Sequence, residues 1–209
     1  MLNIFKKEEA KESSPVACIF IGRSGCGKGT QVNLYMENLS KINNEKILHI
    51  ETGSLLRNLV KESSYTAEKT KEIIETGALM PESIVIGLWV GYLINNFTGK
   101  ENLVFDGAPR RLHEAEILND TLKFYNIPKY KVVYINVSRE WATARLLARG
   151  RKDDTKEGID KRMSWFDKDV MPCIEFFKSN NSSCELININ GEQSIEEVSA
   201  EVLSKVFGK

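Results

Sequence analysis

The nine residues Gly22-Arg23-Ser24-Gly25-Cys26-Gly27-Lys28-Gly29-Thr30 decide how this chain is read. An apolar run, Val16 to Ile21, precedes them, and Val16, Ile19, Phe20 and Ile21 spell a buried strand. A helical spacing follows over Gln31 to Leu39, with Val32, Tyr35, Met36 and Leu39 apolar. Strand, glycine-rich loop and helix in that order cradle phosphate. Four glycines in nine positions let backbone N–H groups turn inward on one oxyanion, and the next helix points its positive dipole end at the same place. Lys28 adds a full charge there. The generic pattern has Ser or Thr directly after the lysine; here Gly29 intervenes, so Thr30 has to supply the hydroxyl. The rival reading is a plain glycine-rich turn, against which the strand context, the lysine and the threonine all argue.

The chain's 209 residues suffice for one good core, and residues 15–209 are expected to form a single domain with insertions. Its 29 basic and 29 acidic residues balance, so no global field draws it to nucleic acid or to a membrane surface, and any anion recognition must be local. No apolar stretch approaches the roughly 20 residues of a membrane span. Residues 1–14, rich in Lys, Glu and Ser, lack the apolar core of a signal peptide and read as a flexible tail, and a cytoplasmic location is expected. Cys18, Cys26, Cys173 and Cys184 form no C-x-x-C pair and read as free thiols, with Cys26 a small residue tolerated in the loop. His49 and His113 stand alone, and no metal-ligand or Ser/His/Asp constellation is visible.

Strand and helix signals alternate. Strands are expected at Ile47 to Ile50, Leu103 to Phe105, Val132 to Val137 and Leu186 to Ile189. Helices are expected over Leu55 to Val60, Ala67 to Glu75, Glu82 to Asn96, Glu114 to Phe124, Trp141 to Ala148 and Ile195 to Phe207. A long amphipathic pattern, Ile159, Met163, Phe166, Val170, Ile174 and Phe177, is expected to kink at Pro172. This alternation predicts a parallel sheet covered on both faces, with ligands beyond the carboxyl ends of its strands. The phosphate loop, Thr52-Gly53, Asp106-Gly107 and the Ser138-Arg139 turn all follow strands, so they should crowd one edge of the sheet.

Arginines recur near those places: Arg57, Arg110, Arg145, Arg149, Arg151 and Arg162. Each could be a solvated surface charge, but together with the loop they are not independent. The motifs that hold them are Thr52-Gly53-Ser54-Leu55-Leu56-Arg57, Gly77 to Pro81, Asp106-Gly107-Ala108-Pro109-Arg110, Arg145 to Arg149, and Arg151 to Asp154 with Arg162 beyond. In order and spacing this set resembles the adenylate kinase family of nucleoside monophosphate kinases, in its short-lid form, from Val16 to the C-terminus.

The resemblance implies an α/β P-loop fold: a three-layer α/β/α sandwich on a five-stranded parallel sheet. It adds a helical acceptor-binding insertion over residues 52–80 and a very short lid over 149–154. The implied reaction moves the γ-phosphoryl group of ATP to a nucleoside monophosphate, AMP first, reversibly and with Mg2+. By resemblance Gly25, Cys26, Gly27, Lys28, Gly29 and Thr30 hold the ATP phosphates, Arg145 stacks on its adenine, and backbone of Gly191 and Gln193 lies near that base. Thr52, Gly53, Arg57, Ala78, Leu79, Met80, Gly107, Arg110 and Glu114 receive the acceptor. Arg149, Arg151 and Arg162 surround the transferring group with Lys28 and Arg110, and Asp106 organises the magnesium through water. The enzyme is expected to work as a monomer on small nucleotides. Only Gly150 separates Arg149 from Arg151, so the lid has no room for zinc. A lid so short predicts either wasteful ATP hydrolysis or closure completed by a neighbouring subunit.

The acceptor pocket departs from the family pattern at Ala108, Ser54 and Glu114, where an aromatic residue, an aspartate and a glutamine are usual. An amide offers adenine a donor and an acceptor, whereas an ionised Glu114 only accepts and suits the paired donors of guanine. Glu114 is either such a contact or an exposed member of the run Glu114-Ala115-Glu116. A GMP or pyrimidine monophosphate kinase is therefore the first alternative. A nucleotide-binding sensor with weak transfer is the second, though it would not need charges on both sides of a transferring group. Phosphoryl transfer rests on positioning and charge neutralisation. Lys28→Met or Arg110→Ala should accordingly lower kcat by on the order of a hundredfold, measured as ADP formation at saturating nucleotide.

Overall fold

A computed structural model describes residues 15–42, 45–151, 154–179 and 183–208. The expected tail over 1–14 and the lid residues 152–153 lie outside the described residues. Five parallel strands form one sheet: β1 (Ala17–Gly22), β2 (Ile47–Glu51), β3 (Asn102–Asp106), β4 (Tyr130–Asn136) and β5 (Cys184–Asn190), in the order β2-β3-β1-β4-β5. Between them run helices α1 (Lys28–Ile42), α2 (Thr52–Leu59), α3 (Tyr65–Glu75), α4 (Glu82–Asn96), α5 (Leu112–Phe124) and α6 (Arg139–Arg149). Helices α7 (Lys156–Trp165), α8 (Met171–Ser179) and α9 (Ile195–Phe207) complete the order. No described helix is long and apolar enough to cross a membrane.

Alternation along β1 divides the core in two, as side chains of a strand point to opposite faces. Ala17, Ile19 and Ile21 pack with Trp89 of α4, Leu118 of α5 and Phe177 of α8. Cys18 and Phe20 pack with Tyr35 of α1, Leu146 of α6, Met163 of α7 and Val202 of α9. Both faces are covered, which is why the strands read as continuous apolar runs. The helix after β1 and the helix after β3 therefore lie on opposite faces of the sheet. Since β1 and β3 are neighbours, a crevice opens between their carboxyl ends, where open α/β sheets bind ligands. The register sets Phe20 opposite Asp106 and Asp106 opposite Glu51 at that edge.

Two expectations change. Helix α2 begins at Thr52, directly after β2, so Thr52 and Gly53 occupy its first turn instead of a preceding loop. The long amphipathic pattern is interrupted earlier than Pro172, by a π-helical turn at Phe166–Val170 in which Met171 N–H donates to Phe166 O. Proline has no N–H to give and its ring crowds the carbonyl four residues back, so the turn before it widens. The wide turn keeps Phe166 and Val170 in the same core as Phe177. Phe105 of β3 lies wholly inside this core with Trp89 set edge-on at 6.1 Å. Phe105→Ala is expected to reduce the unfolding free energy by about 3–5 kcal/mol, read as a lower urea midpoint at unchanged slope.

Candidate active site

The phosphate loop takes its shape from backbone conformations that only glycine adopts freely. Gly25 and Gly27 both have φ of +88°. A Cβ on Gly25 would also meet the Ala142 carbonyl at 2.7 Å. Cys26 N–H closes the turn on Arg23 O at 3.1 Å while its thiol is buried inward, so Cys26 faces the ligand side only through its backbone. Arg23 is held by partners beyond the loop. Its Nε donates to Val137 O, its guanidinium pairs with Asp167 at 2.6 Å, and its Cζ lies 4.4 Å from the centroid of the Phe166 ring. Lys28 opens α1 with Gly29 and Thr30 exposed beside it.

Around this loop the sheet edge collects cations, each with an acid at hand. Lys28 Nζ stands 3.5 Å from Asp106 Oδ1 at the end of β3. Burial works against the Lys28 charge, but Asp106 holds its pKa above the ordinary value. Burial lowers Arg110, and the charges of Arg111 and Arg162 act in the same direction, while Glu114 and Asp106 oppose them. Arg110 also acts on Lys28, so Arg110 lies within electrostatic reach of both Lys28 and Arg162. Arg110 Nε donates to Gly107 O at 2.8 Å, folding the side chain back over the β3–α5 turn. That turn contains a cis Ala108–Pro109 peptide.

Asp154 ties the arginines of α6 and α7 together. Arg149, the last residue of α6, donates from Nε and Nη2 to the two Asp154 oxygens at 2.8 Å each. Arg162 Nη2 reaches Asp154 Oδ1 at 2.7 Å, and Arg151 N–H reaches Oδ2 at 3.1 Å. The Asp154 side chain is 0 % exposed. Burial alone would raise its pKa, but the Arg149 and Arg162 hydrogen bonds hold it far below the usual carboxylate range. Local signals set this up: Gly150 ends α6 in the left-handed region at φ +64°, and Thr155 caps α7 by accepting Gly158 N–H. The Arg151 side chain is exposed.

On the other side, Thr52 is 1 % exposed, and its hydroxyl has no hydrogen-bond partner among the described residues. Arg57 Nη2 donates to Glu51 Oε1 at 2.6 Å and to Ser54 Oγ at 2.7 Å beside Gly53. Ala78 is exposed, Leu79 half-buried and Met80 buried, with the Met80 carbonyl taken by Arg111 Nη1 at 2.7 Å. Glu114 is 1 % exposed, which removes the reading of it as a surface residue. Its Oε2 accepts Arg110 N–H at 2.8 Å, and Oε1 has no hydrogen bond, the nearest cation being Arg111 Nη1 at 3.8 Å. Burial pushes its carboxyl up despite both arginines.

Of the residues named for the ATP base, Arg145 is exposed with Cζ 4.5 Å from the Trp141 ring centroid. Gly191 is buried where a Cβ would meet Val137 Cγ1 at 2.6 Å, and Gln193 Nε2 donates to Asn190 O and Glu201. The structure brings Lys28 of the phosphate loop next to Asp106, with Arg110 near both and Arg162 near Arg110. Sequence reasoning gave no role to Asp154 or Glu51, although an acid within a run of arginines was visible in Arg151 to Asp154.

A glycine-shaped phosphate loop at the β1–β3 crevice, with Lys28 and arginines from separate helices around it, defines a phosphotransferase of the P-loop class. A family model described as adenylate kinase matches residues 20–182. The chain is similar to "Adenylate kinase 1" of Nostoc sp., 35 % identical over 184 residues, covering 88 % of this chain and 95 % of that protein. It is similar as well to "Adenylate kinase" of Prochlorococcus marinus, 36 % identical over 176 residues, covering 83 % and 90 %. A third relative, "Adenylate kinase" of Oenococcus oeni, is 31 % identical over 179 residues, covering 85 % and 91 %. The chain belongs to the adenylate kinase family, the transferases that act on nucleoside monophosphates.

Asp154→Asn should leave Arg149 and Arg162 less well aligned and lower kcat by roughly tenfold or more. Because the folded-state pKa of Asp154 is depressed, its contribution to stability is present above the ordinary carboxylate pKa and is lost as pH falls through the folded value. The stability gap between wild type and variant should therefore hold from neutral pH down to about pH 5 and narrow only in stronger acid, as urea melts across pH would record.

Proposed function

We propose that this enzyme transfers the γ-phosphoryl group of ATP to AMP, giving two ADP, with Mg2+. The observation that carries the reading is Lys28 paired with Asp106 at 3.5 Å beside the glycine-shaped loop, with Arg110 within electrostatic reach of both Lys28 and Arg162. Lys28 and the loop N–H groups bind the donor phosphates. Arg57 and Arg110 orient the acceptor phosphate, and Arg149, Arg151 and Arg162 neutralise charge that builds on the equatorial oxygens during transfer. No strong general base is required, since the attacking oxygen is already a phosphate anion. Arg145, lying over Trp141 and exposed, is free to turn onto the adenine of ATP, with Gly191 and Gln193 backbone beyond it.

Magnesium suits the donor set. Among the described residues no group of three or more His, Cys, Asp or Glu side chains could hold a metal by itself. Mg2+ characteristically keeps several waters and takes one or two carboxylates together with phosphate oxygens, and Asp106 supplies one such carboxylate next to Lys28. When bound, the ion would supply charge neutralisation between donor phosphates.

Two observations favour adenine over guanine. The buried Thr52 hydroxyl is left for a ligand, and Glu114 Oε2 is already engaged by Arg110 N–H, so the carboxylate does not offer guanine two free oxygens. Burial also raises the Glu114 pKa, and a protonated carboxyl can donate to adenine N1. Action in the cytoplasm and as a monomer belongs to the same reading. A coupled assay of ADP formation with AMP, GMP, CMP, UMP or no acceptor tests it. AMP should exceed each rival by about tenfold or more in kcat/KM, and Glu114→Gln should raise the AMP value further. Slow ADP release without acceptor would register incomplete exclusion of water by the short lid. A preference for GMP, or no transfer to any acceptor, would overturn the proposal.

A further inference from the structure

Trp165 ends α7 one turn after Arg162, and its indole meets two segments distant in sequence, at Gly77 and at Arg110. Its Nε1–H donates to Gly77 O at 3.3 Å, across 88 positions of sequence. Gly77 is where the segment carrying α2 and α3 returns to the body of the fold. It has φ of +68°, and a Cβ there would lie 3.0 Å from Gly158 Cα and 3.1 Å from Gly158 O. The two backbones therefore meet with no side chain between them. Gly158 O in turn accepts Arg162 Nε at 3.2 Å, so the same turn of α7 that meets Gly77 also orients Arg162.

The ring of Trp165 serves a second group. Arg110 Cζ lies 5.4 Å from its centroid, inside the range in which an aromatic face attracts a cation. Arg110 needs such a partner because Arg111 and Arg162 both press on it with like charge. Gly107 O fixes its Nε, and the indole ring lies beneath the guanidinium carbon. From these contacts we propose that Trp165 is a positioning residue: it sets the Arg110 guanidinium toward the acceptor phosphate and fixes the return of the acceptor segment at Gly77 against α7. The role rests on Arg110 holding the acceptor phosphate, as proposed above. It makes the indole specific to the acceptor side, where both Gly77 O and the Arg110 guanidinium lie.

Two substitutions separate the halves of the contact. Trp165→Phe keeps a ring beneath Arg110 and drops the N–H; Trp165→Gln keeps a donor for Gly77 O and drops the ring. The glutamine variant should raise KM for AMP roughly tenfold with KM for ATP changed by less than about twofold, and the phenylalanine variant should raise it by less than about threefold. Trp165→Asn, which likewise keeps an amide donor and drops the ring, takes the place of the glutamine variant if the latter does not fold. On an Arg110→Ala background the loss of the ring should add less than about twofold, since its effect passes through Arg110. Parallel changes in both KM values, a phenylalanine variant no better than glutamine, or full additivity with Arg110→Ala would each overturn the positioning role. If Arg110→Ala by itself leaves turnover and AMP affinity intact, the assignment of Arg110 fails instead, which keeps the two failures distinct.

Discussion

Positive groups gathered to receive phosphate repel one another before the phosphate arrives, and the rest of this structure is arranged around containing that repulsion. Five of the cations gathered there have an internal anion beside them: Lys28 has Asp106, Arg57 has Glu51, Arg149 and Arg162 share Asp154, and Arg110 has the field of Glu114. At such distances a single unit charge in a partly screened site amounts to a few kcal/mol, enough to decide whether a guanidinium faces the cleft or turns to solvent. The balance also appears in the whole chain, whose 29 basic and 29 acidic residues cancel. Charge is thus distributed by position and not by excess, and anion recognition stays confined to one place.

The fold places those pairs through the ends of its strands. Asp106 and Glu51 lie at the same level on neighbouring strands, and the chain leaves β1 and β3 toward opposite faces, so Lys28 and Arg110 approach the crevice from different sides. Asp154 does for the two later helices what the sheet does for the earlier elements. It joins the last residue of α6 to the middle of α7 through three arginine contacts.

Most of this frame was legible in the amino-acid sequence because its signals are local. Glycines at Gly25 and Gly27, a lysine opening a helix and an acid ending an apolar run each report a conformation within a few residues. The unread parts depend on distant partners. Glu114 looks like one of two glutamates on a helix surface until α5 is packed against α8, and Trp165 gives no sign of Gly77 or Arg110. The π turn at Phe166–Val170 was anticipated only as a kink at Pro172, because a proline announces strain but not the residue at which the helix relieves it.

The four cysteines carry a consequence of a different kind. All are buried, and burial pushes Cys18 and Cys173 up to about 12 and Cys184 to about 11, with Cys26 raised as well. Thiolate is the reactive form, and burial both disfavours it and shields the four thiols in the folded chain. Because Cys26 sits under the phosphate loop, Cys18 in β1 and Cys173 in α8, each thiol becomes reactive only when its own region opens. The chain therefore contains built-in chemical clocks, whose labelling rates would time the opening of three different parts of the molecule without any engineered probe.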